Sequence, residues 1–271
     1  MMVGESTMSG ISGALVDLDG TVYLGDELIP GTDEGIAAMR TAGIEPVFLS
    51  NNATKRPAQY REKLASFGIE VPRRRVCNSA AIAAAYLARE HPDDGVYVIG
   101  ERALRAELEA AGLELVDRPQ ATDTVLASLA FGFDYETLQD VLDADRLGDA
   151  GEPVLYATNP DRTCPVEDGE IPDCGAVIGA IEGLLGRPTD RVLGKPSPIA
   201  IDVALDRLGL APEECVMIGD RLETDIRMGD RAGMQTVLVR TGVTTDADLA
   251  KSDVRPDRVL DSLADVGVLF E

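Results

Sequence analysis

The sequence predicts an α/β fold: a doubly wound, mostly parallel sheet with a second α/β block inserted into it. Three observations predict this. Short apolar runs alternate with stretches of helical spacing at both ends of the chain. The runs at both ends stop on acidic or polar residues. The stretch between them carries strands and helices of its own, with enough apolar residues for a separate core.

The elements follow in order. Residues 13–18, GALVDL, are a short apolar run bounded by glycines and read as a buried strand. Residues 33–43, DEGIAAMRTAG, have helical spacing and end in Gly43. Residues 44–52, IEPVFLSNN, form the next strand, and residues 57–68, PAQYREKLASFG, the next helix. Near the other end, 196–210 read as a helix, 214–220 as a strand, 223–233 as a helix and 235–242 as a strand. In the middle, GVYVIG, LELV, DTVLASL and PVLYATN are strands interleaved with the helices ERALRAELEAAG and DYETLQDVLDADRLG. This block sits between two stretches of one sheet. The expected domains are therefore 1–79 plus 188–271, with an insert over 80–187.

The chain has 271 residues, 45% of them apolar, and a net charge of −23. That charge argues against nucleic acid, whose phosphates need Lys and Arg. No apolar run approaches the roughly 18 residues of a membrane span. Residues 1–14 lack the basic and apolar regions of a signal peptide, and Met8 is a second candidate start. Cys77, Cys164, Cys174 and Cys215 lie far apart with no C-x-x-C pair, as scattered thiols of a cytoplasmic protein do. Only Lys55, Lys63, Lys195 and Lys251 are lysines. Dispersed acid with little lysine is expected of a halophile protein kept soluble in concentrated salt.

In open α/β sheets, ligands bind beyond the carboxyl ends of the strands. The first strand ends on Asp17 and Asp19, the second on Ser50, Asn51 and Asn52. The strand at 214–220 ends on Asp220, with Asp225 five residues on, and Lys195 lies in GKPSP at a helix start. Each piece alone is an ordinary turn or helix start. Together, Asp17, Asp19 and Asp220 make a hard oxygen site suited to Mg²⁺, which offsets their mutual repulsion. A hydroxyl, amides and a lysine beside it suit a phosphoryl group. One carboxylate can act as nucleophile, and a second can protonate the leaving oxygen and then activate water.

With these residues in view, the chain resembles phosphatases of the haloacid dehalogenase-like superfamily. The DLDGT of 17–21, Ser50, Lys195 and the GDRLETD of 219–225 resemble its four motifs. LSNNATK, ATNPD, GKPSP and VLVRTGVTT narrow the resemblance to the NagD-like, 4-nitrophenylphosphatase branch, over residues 13–262. The resemblance implies a Rossmann-like core with a C2-type cap, and a small phosphorylated metabolite as substrate. It also implies Asp17 as nucleophile and Asp19 as general acid/base, with Asp19 reaching the metal through its backbone carbonyl. By the same resemblance Ser50 and Asn51 bind phosphate, Lys195 steadies nucleophile and phosphoryl oxygens, Asp220 holds Mg²⁺, and Asp225 sits behind it. It allows a homo-oligomer formed through the cap.

The chain departs from the branch only in the cap. AFGFDYETL is short, and IPDCGA places Asp173 and Cys174 near a turn expected to face substrate. Asp161 of ATNPD is either a substrate contact or a turn aspartate. The single histidine, His91, is expected to close a helix at the surface. Three other readings compete. A dehalogenase does not need Asp19, since halide leaves without a proton. A phosphate-accepting receiver needs neither Asp19 nor a cap. A non-catalytic sugar-phosphate binder is expected to have lost Asp17 or Asp19.

Overall fold

A computed structural model of the chain describes residues 8–149, 151–166 and 169–270. The expectations about the start and a leader fall mainly on residues 1–7, outside the described residues. The chain forms two units. Met1–Ser50, Ala58–Cys77 and Ile201–Glu271 make the first; Asn51–Pro57 and Asn78–Ala200 make the second. The insert expected at 80–187 falls within the second unit. That unit also takes in the loops carrying Asn51, Asn52 and Lys195, which the sequence reading had placed with the first.

The first unit is built on a six-stranded sheet. Its order is Arg258–Leu260, Gln235–Val239, Cys215–Gly219, Gly13–Asp17, Glu45–Ser50, Val76–Asn78. Gly13–Asp17 pairs in parallel with strands on both sides, Val16 lying opposite Ile218 and Phe48. All five of its residues are buried. A strand covered on both faces reads as a continuous apolar run rather than an alternating one, which is why GALVD was legible. One face packs Val16, Phe48, Ile218 and Val237 against Ile36, Met39 and Leu64 from the helices Thr32–Thr41 and Pro57–Ser66. Parallel pairing brings the carboxyl ends of these strands to one edge. Asp17 registers with Leu49, so Ser50 and Asp220 lie at the same edge as Asp17.

The second unit has its own five-stranded parallel sheet. Its order is Arg191–Val192, Val154–Ala157, Thr124–Ala127, Gly95–Ile99, Glu114–Leu115. Tyr97, Val125, Leu155 and Val141 contribute to a separate core with Val177 and Ile181 of the helix Cys174–Leu185. A hairpin, Thr163–Val166 with Gly169–Pro172, lies outside that sheet.

Two helices in this unit go beyond the elements read from the sequence, which gave only the close of the first at His91. Ser79–Glu90 is alanine-rich and buries eight of its residues, Ser79 to Ala84 with Tyr86 and Leu87. Cys174–Leu185 is apolar on most of its surface. Neither carries the one-sided stripe that betrays a surface helix. Among the described residues, no helix is long and apolar enough to cross a membrane, and all four cysteines are free thiols.

Candidate active site

The catalytic edge of the first unit starts from Asp17, the last residue of its strand and only 6% exposed. Asp220 follows the strand Cys215–Gly219 directly and is completely buried. Asp225 comes from the π-helical turn Leu222–Ile226, whose wider winding ends with the Asp225 and Ile226 amides both donating to the Arg221 carbonyl. The Asp225 carboxylate in turn accepts the Arg221 N–H at 3.1 Å. Carboxylate oxygens of Asp17, Asp220 and Asp225 all lie within 4.8 Å of one another, and all three residues are buried.

The chain makes room for this group rather than avoiding it. A methyl at Gly242 would stand 2.0 Å from Asp220 Oδ2, and one at Gly20 would stand 2.7 Å from it. Gly20 also holds φ at +91°, which L side chains rarely adopt. The backbone N–H of Val243 donates to Asp220 Oδ2 at 2.7 Å. The Thr241 hydroxyl donates to the Gly20 carbonyl at 2.6 Å, tying the two loops around Asp220 together. Three buried carboxylates in one place repel strongly unless a cation or shared protons offset the charge. An all-oxygen, multiply anionic donor set of this kind fits Mg²⁺.

Asp19 stands apart from that group. It lies two residues beyond the end of its strand, and its side chain is exposed. The third carboxylate of the cluster is Asp225, where the residue-level reading had placed Asp19. An exposed carboxyl held outside the anionic cluster is suited to exchanging a proton with substrate and water.

Ser50, buried at the end of the strand Glu45–Ser50, belongs to the first unit, and Asn51, Asn52 and Lys195 to the second. Lys195 is 4% exposed. Its main chain is held by one side chain: Lys195 N–H donates to Asn51 Oδ1 at 2.9 Å, and Asn51 Nδ2 donates to the Lys195 carbonyl at 3.0 Å. Asn51 Nδ2 also donates to Asp161 Oδ2 at 2.9 Å. The Asn51 carbonyl receives Asn159 Nδ2 at 2.9 Å and the Ser79 hydroxyl at 2.5 Å. Asn51 is thus a knot joining the loops of Lys195, Asp161 and Ser79. Its role in holding Lys195 was not visible in the sequence, because its partner lies 144 residues away.

Asn52 builds a turn, its Oδ1 accepting the N–H and hydroxyl of Thr54 at 2.8 and 2.6 Å. Asp161 is turned toward Asn51, and its N–H donates to Asn159 Oδ1 at 2.9 Å. Asp173 caps the helix Cys174–Leu185. Cys174 is completely buried, its thiol donating to the Ala127 carbonyl at 3.3 Å, and burial pushes its pKa up to about 11. Both residues of IPDCGA that departed from the branch pattern therefore have structural work. His91 closes the helix Ser79–Glu90, and its ring meets Tyr156 Oη at 2.7 Å and Asp94 at 2.8 Å.

Asn51→Asp removes both N–H donations while facing two acceptors with a carboxylate. At pH 8 the variant is expected to lose about 2 kcal/mol of stability. The loss should shrink as the pH falls toward 4, because a protonated carboxyl can again donate. Thermal melting of both proteins across this range checks this; identical curves would mean that the knot bears no load.

The chain is similar over most of its length to known phosphatases. The family profile described as haloacid dehalogenase-like hydrolase matches residues 14–114, and the one described as HAD-hydrolase-like matches 192–266. The sugar-phosphatase AraL of Bacillus subtilis is 38% identical over 271 residues, spanning 100% of this chain and 97% of the relative. The solved p-nitrophenyl phosphatase from Archaeoglobus fulgidus superposes with a TM-score of 0.87 at 34% identity, covering 95% and 98% of the two chains. NagD from E. coli K-12 superposes with a TM-score of 0.85 at 30% identity, covering 95% and 99%. Similarity at this level over nearly full lengths places the chain in the haloacid dehalogenase-like family as a NagD-like phosphatase.

Proposed function

We propose that the chain is a Mg²⁺-dependent phosphomonoesterase of small phosphorylated metabolites, working through an aspartyl-phosphate on Asp17. The observation that carries this reading is the buried group of Asp17, Asp220 and Asp225 at one sheet edge. The carboxylates of Asp17 and Asp220 and the backbone carbonyl of Asp19 would hold the ion, with Asp225 completing the anionic wall. When bound, Mg²⁺ supplies positive charge for the phosphoryl oxygens.

In this reading an oxygen of Asp17 attacks phosphorus as the bond to the leaving oxygen breaks. Asp19 gives its proton to that oxygen. In the second step Asp19 takes a proton from water as the water attacks the aspartyl-phosphate, and Asp17 is released with inorganic phosphate. The Ser50 hydroxyl and the Asn51 and Asn52 loop bind phosphoryl oxygens, and the Lys195 ammonium offsets their charge. Because the Asn51 carboxamide is committed to Lys195 and Asp161, its share in phosphate binding falls to its main-chain N–H. Residues 1–79 with 188–271 are assigned as the core domain and 80–187 as the cap. Sugar phosphates are the favoured substrate class, since the relative from Bacillus subtilis is named a sugar phosphatase.

Asp17→Asn keeps the shape of the side chain and removes the nucleophile. Turnover of 4-nitrophenyl phosphate and of a panel of sugar phosphates is expected to fall below about a tenth of the native rate, with an unchanged fold by circular dichroism. A variant that keeps more than this would exclude the covalent route.

We also read the net charge of −23 as adaptation to concentrated salt in a cytoplasmic setting. The Debye length is about 30 Å at 0.01 M salt and about 3 Å at 1 M, so self-repulsion of the acidic surface is screened only at high salt. Melting temperature and activity are both expected to rise from millimolar to molar KCl. Equal values in both would remove the halophile reading and leave the phosphatase chemistry untouched.

A further inference from the structure

Asp19 is exposed, yet the reaction asks its carboxyl to meet the leaving oxygen in one orientation. An exposed side chain is held in one rotamer only where neighbouring groups offset the lost freedom. Tyr23 is placed to do this. Its ring is 1% exposed, and its hydroxyl donates to Asp19 Oδ2 across 3.4 Å. That is long for such a bond, as catalytic contacts commonly are before substrate tightens them. The two main chains are also locked together. Asp19 and Tyr23 form a β-bridge, and Gly20 N–H donates to the Tyr23 carbonyl at 2.8 Å.

The ring is braced in turn. Lys63, from the helix Pro57–Ser66, places its ammonium 3.8 Å from the ring centroid. The same ammonium donates to the Gly25 carbonyl and lies 3.2 Å from Asp26 Oδ1, gripping the turn between Tyr23–Leu24 and Glu27–Leu28. The Phe67 ring stands 6.0 Å away, tilted by 42°.

We propose that Tyr23 is a positioning residue for proton transfer: its hydroxyl fixes the Asp19 carboxyl, and Lys63 fixes Tyr23. Tyr23 keeps its own proton throughout. The Asp19 O–H bond breaks as the leaving oxygen gains its proton, and the bonding pair stays on Asp19. The inference rests on the acid role of Asp19 proposed above.

The test is a double-mutant cycle in single-turnover kinetics, with Tyr23→Phe, Asp19→Asn and the double variant. Each is run on 4-nitrophenyl phosphate, whose leaving group needs little protonation, and on an alkyl phosphate, whose leaving group needs it. Tyr23→Phe keeps the buried ring, and its melting curve should match that of the native protein. It is expected to slow alkyl phosphate cleavage about tenfold, with an unchanged KM, and 4-nitrophenyl phosphate cleavage less than about twofold. In the Asp19→Asn background the same substitution should have almost no effect, because groups acting through one another are not additive. Equal losses on both substrates, or the same loss in both backgrounds, would overturn the positioning role. If Asp19→Asn itself slows both substrates equally, the acid role of Asp19 fails, and the inference with it.

Discussion

Three carboxylates that cannot all stay charged and buried without help are the constraint on which the first unit depends. Asp17, Asp220 and Asp225 come from a strand end, the residue after a second strand and a π-helical turn, and their oxygens converge within 4.8 Å. Burial of this kind costs several kcal/mol per charge unless positive charge is supplied. From the protein itself, the N–H groups of Val243 and Arg221 donate to Asp220 and Asp225. The glycines beside Asp220 show that the chain crowds backbone against this centre instead of spreading it out. Negative charge concentrated so could hold a cation, and a cation beside the nucleophile proposed for Asp17 would suit phosphoryl transfer.

The second unit solves a different problem, the placement of one buried lysine. Lys195 is anchored by its main chain, through both hydrogen-bonding groups of the Asn51 carboxamide. Asn51 follows Ser50 directly along the chain. The residue after the hydroxyl of one motif therefore fixes the backbone of the lysine of another.

Much of this was legible in the sequence, for identifiable reasons. Gly13–Asp17 and Cys215–Gly219 are short apolar runs stopping at aspartates, so both the strands and the acids at their ends stood out. The parallel sheet then implied that those ends share an edge, as the register shows. Cys174–Leu185, and Ser79–Glu90 apart from its close at His91, were not legible, because apolar residues run round most of each helix and leave no amphipathic period. The membership of Asp225 in the cluster depends on the wider π turn, and the Asn51 knot on pairings across more than a hundred residues. Neither leaves a local signal. Tyr23 lay in plain view within the opening motif, but only its burial and its hydroxyl's approach to Asp19 mark it out.

The most direct test of this account is calorimetric titration of the metal-free protein with Mg²⁺, followed by thermal melting at saturation, for the native chain and for Asp220→Asn. One site per chain is expected, with a melting temperature that rises with bound Mg²⁺ and much weaker binding in the variant. A native chain that takes up no Mg²⁺, or melts at the same temperature with and without it, would contradict the claim that the buried carboxylates are organised around a cation.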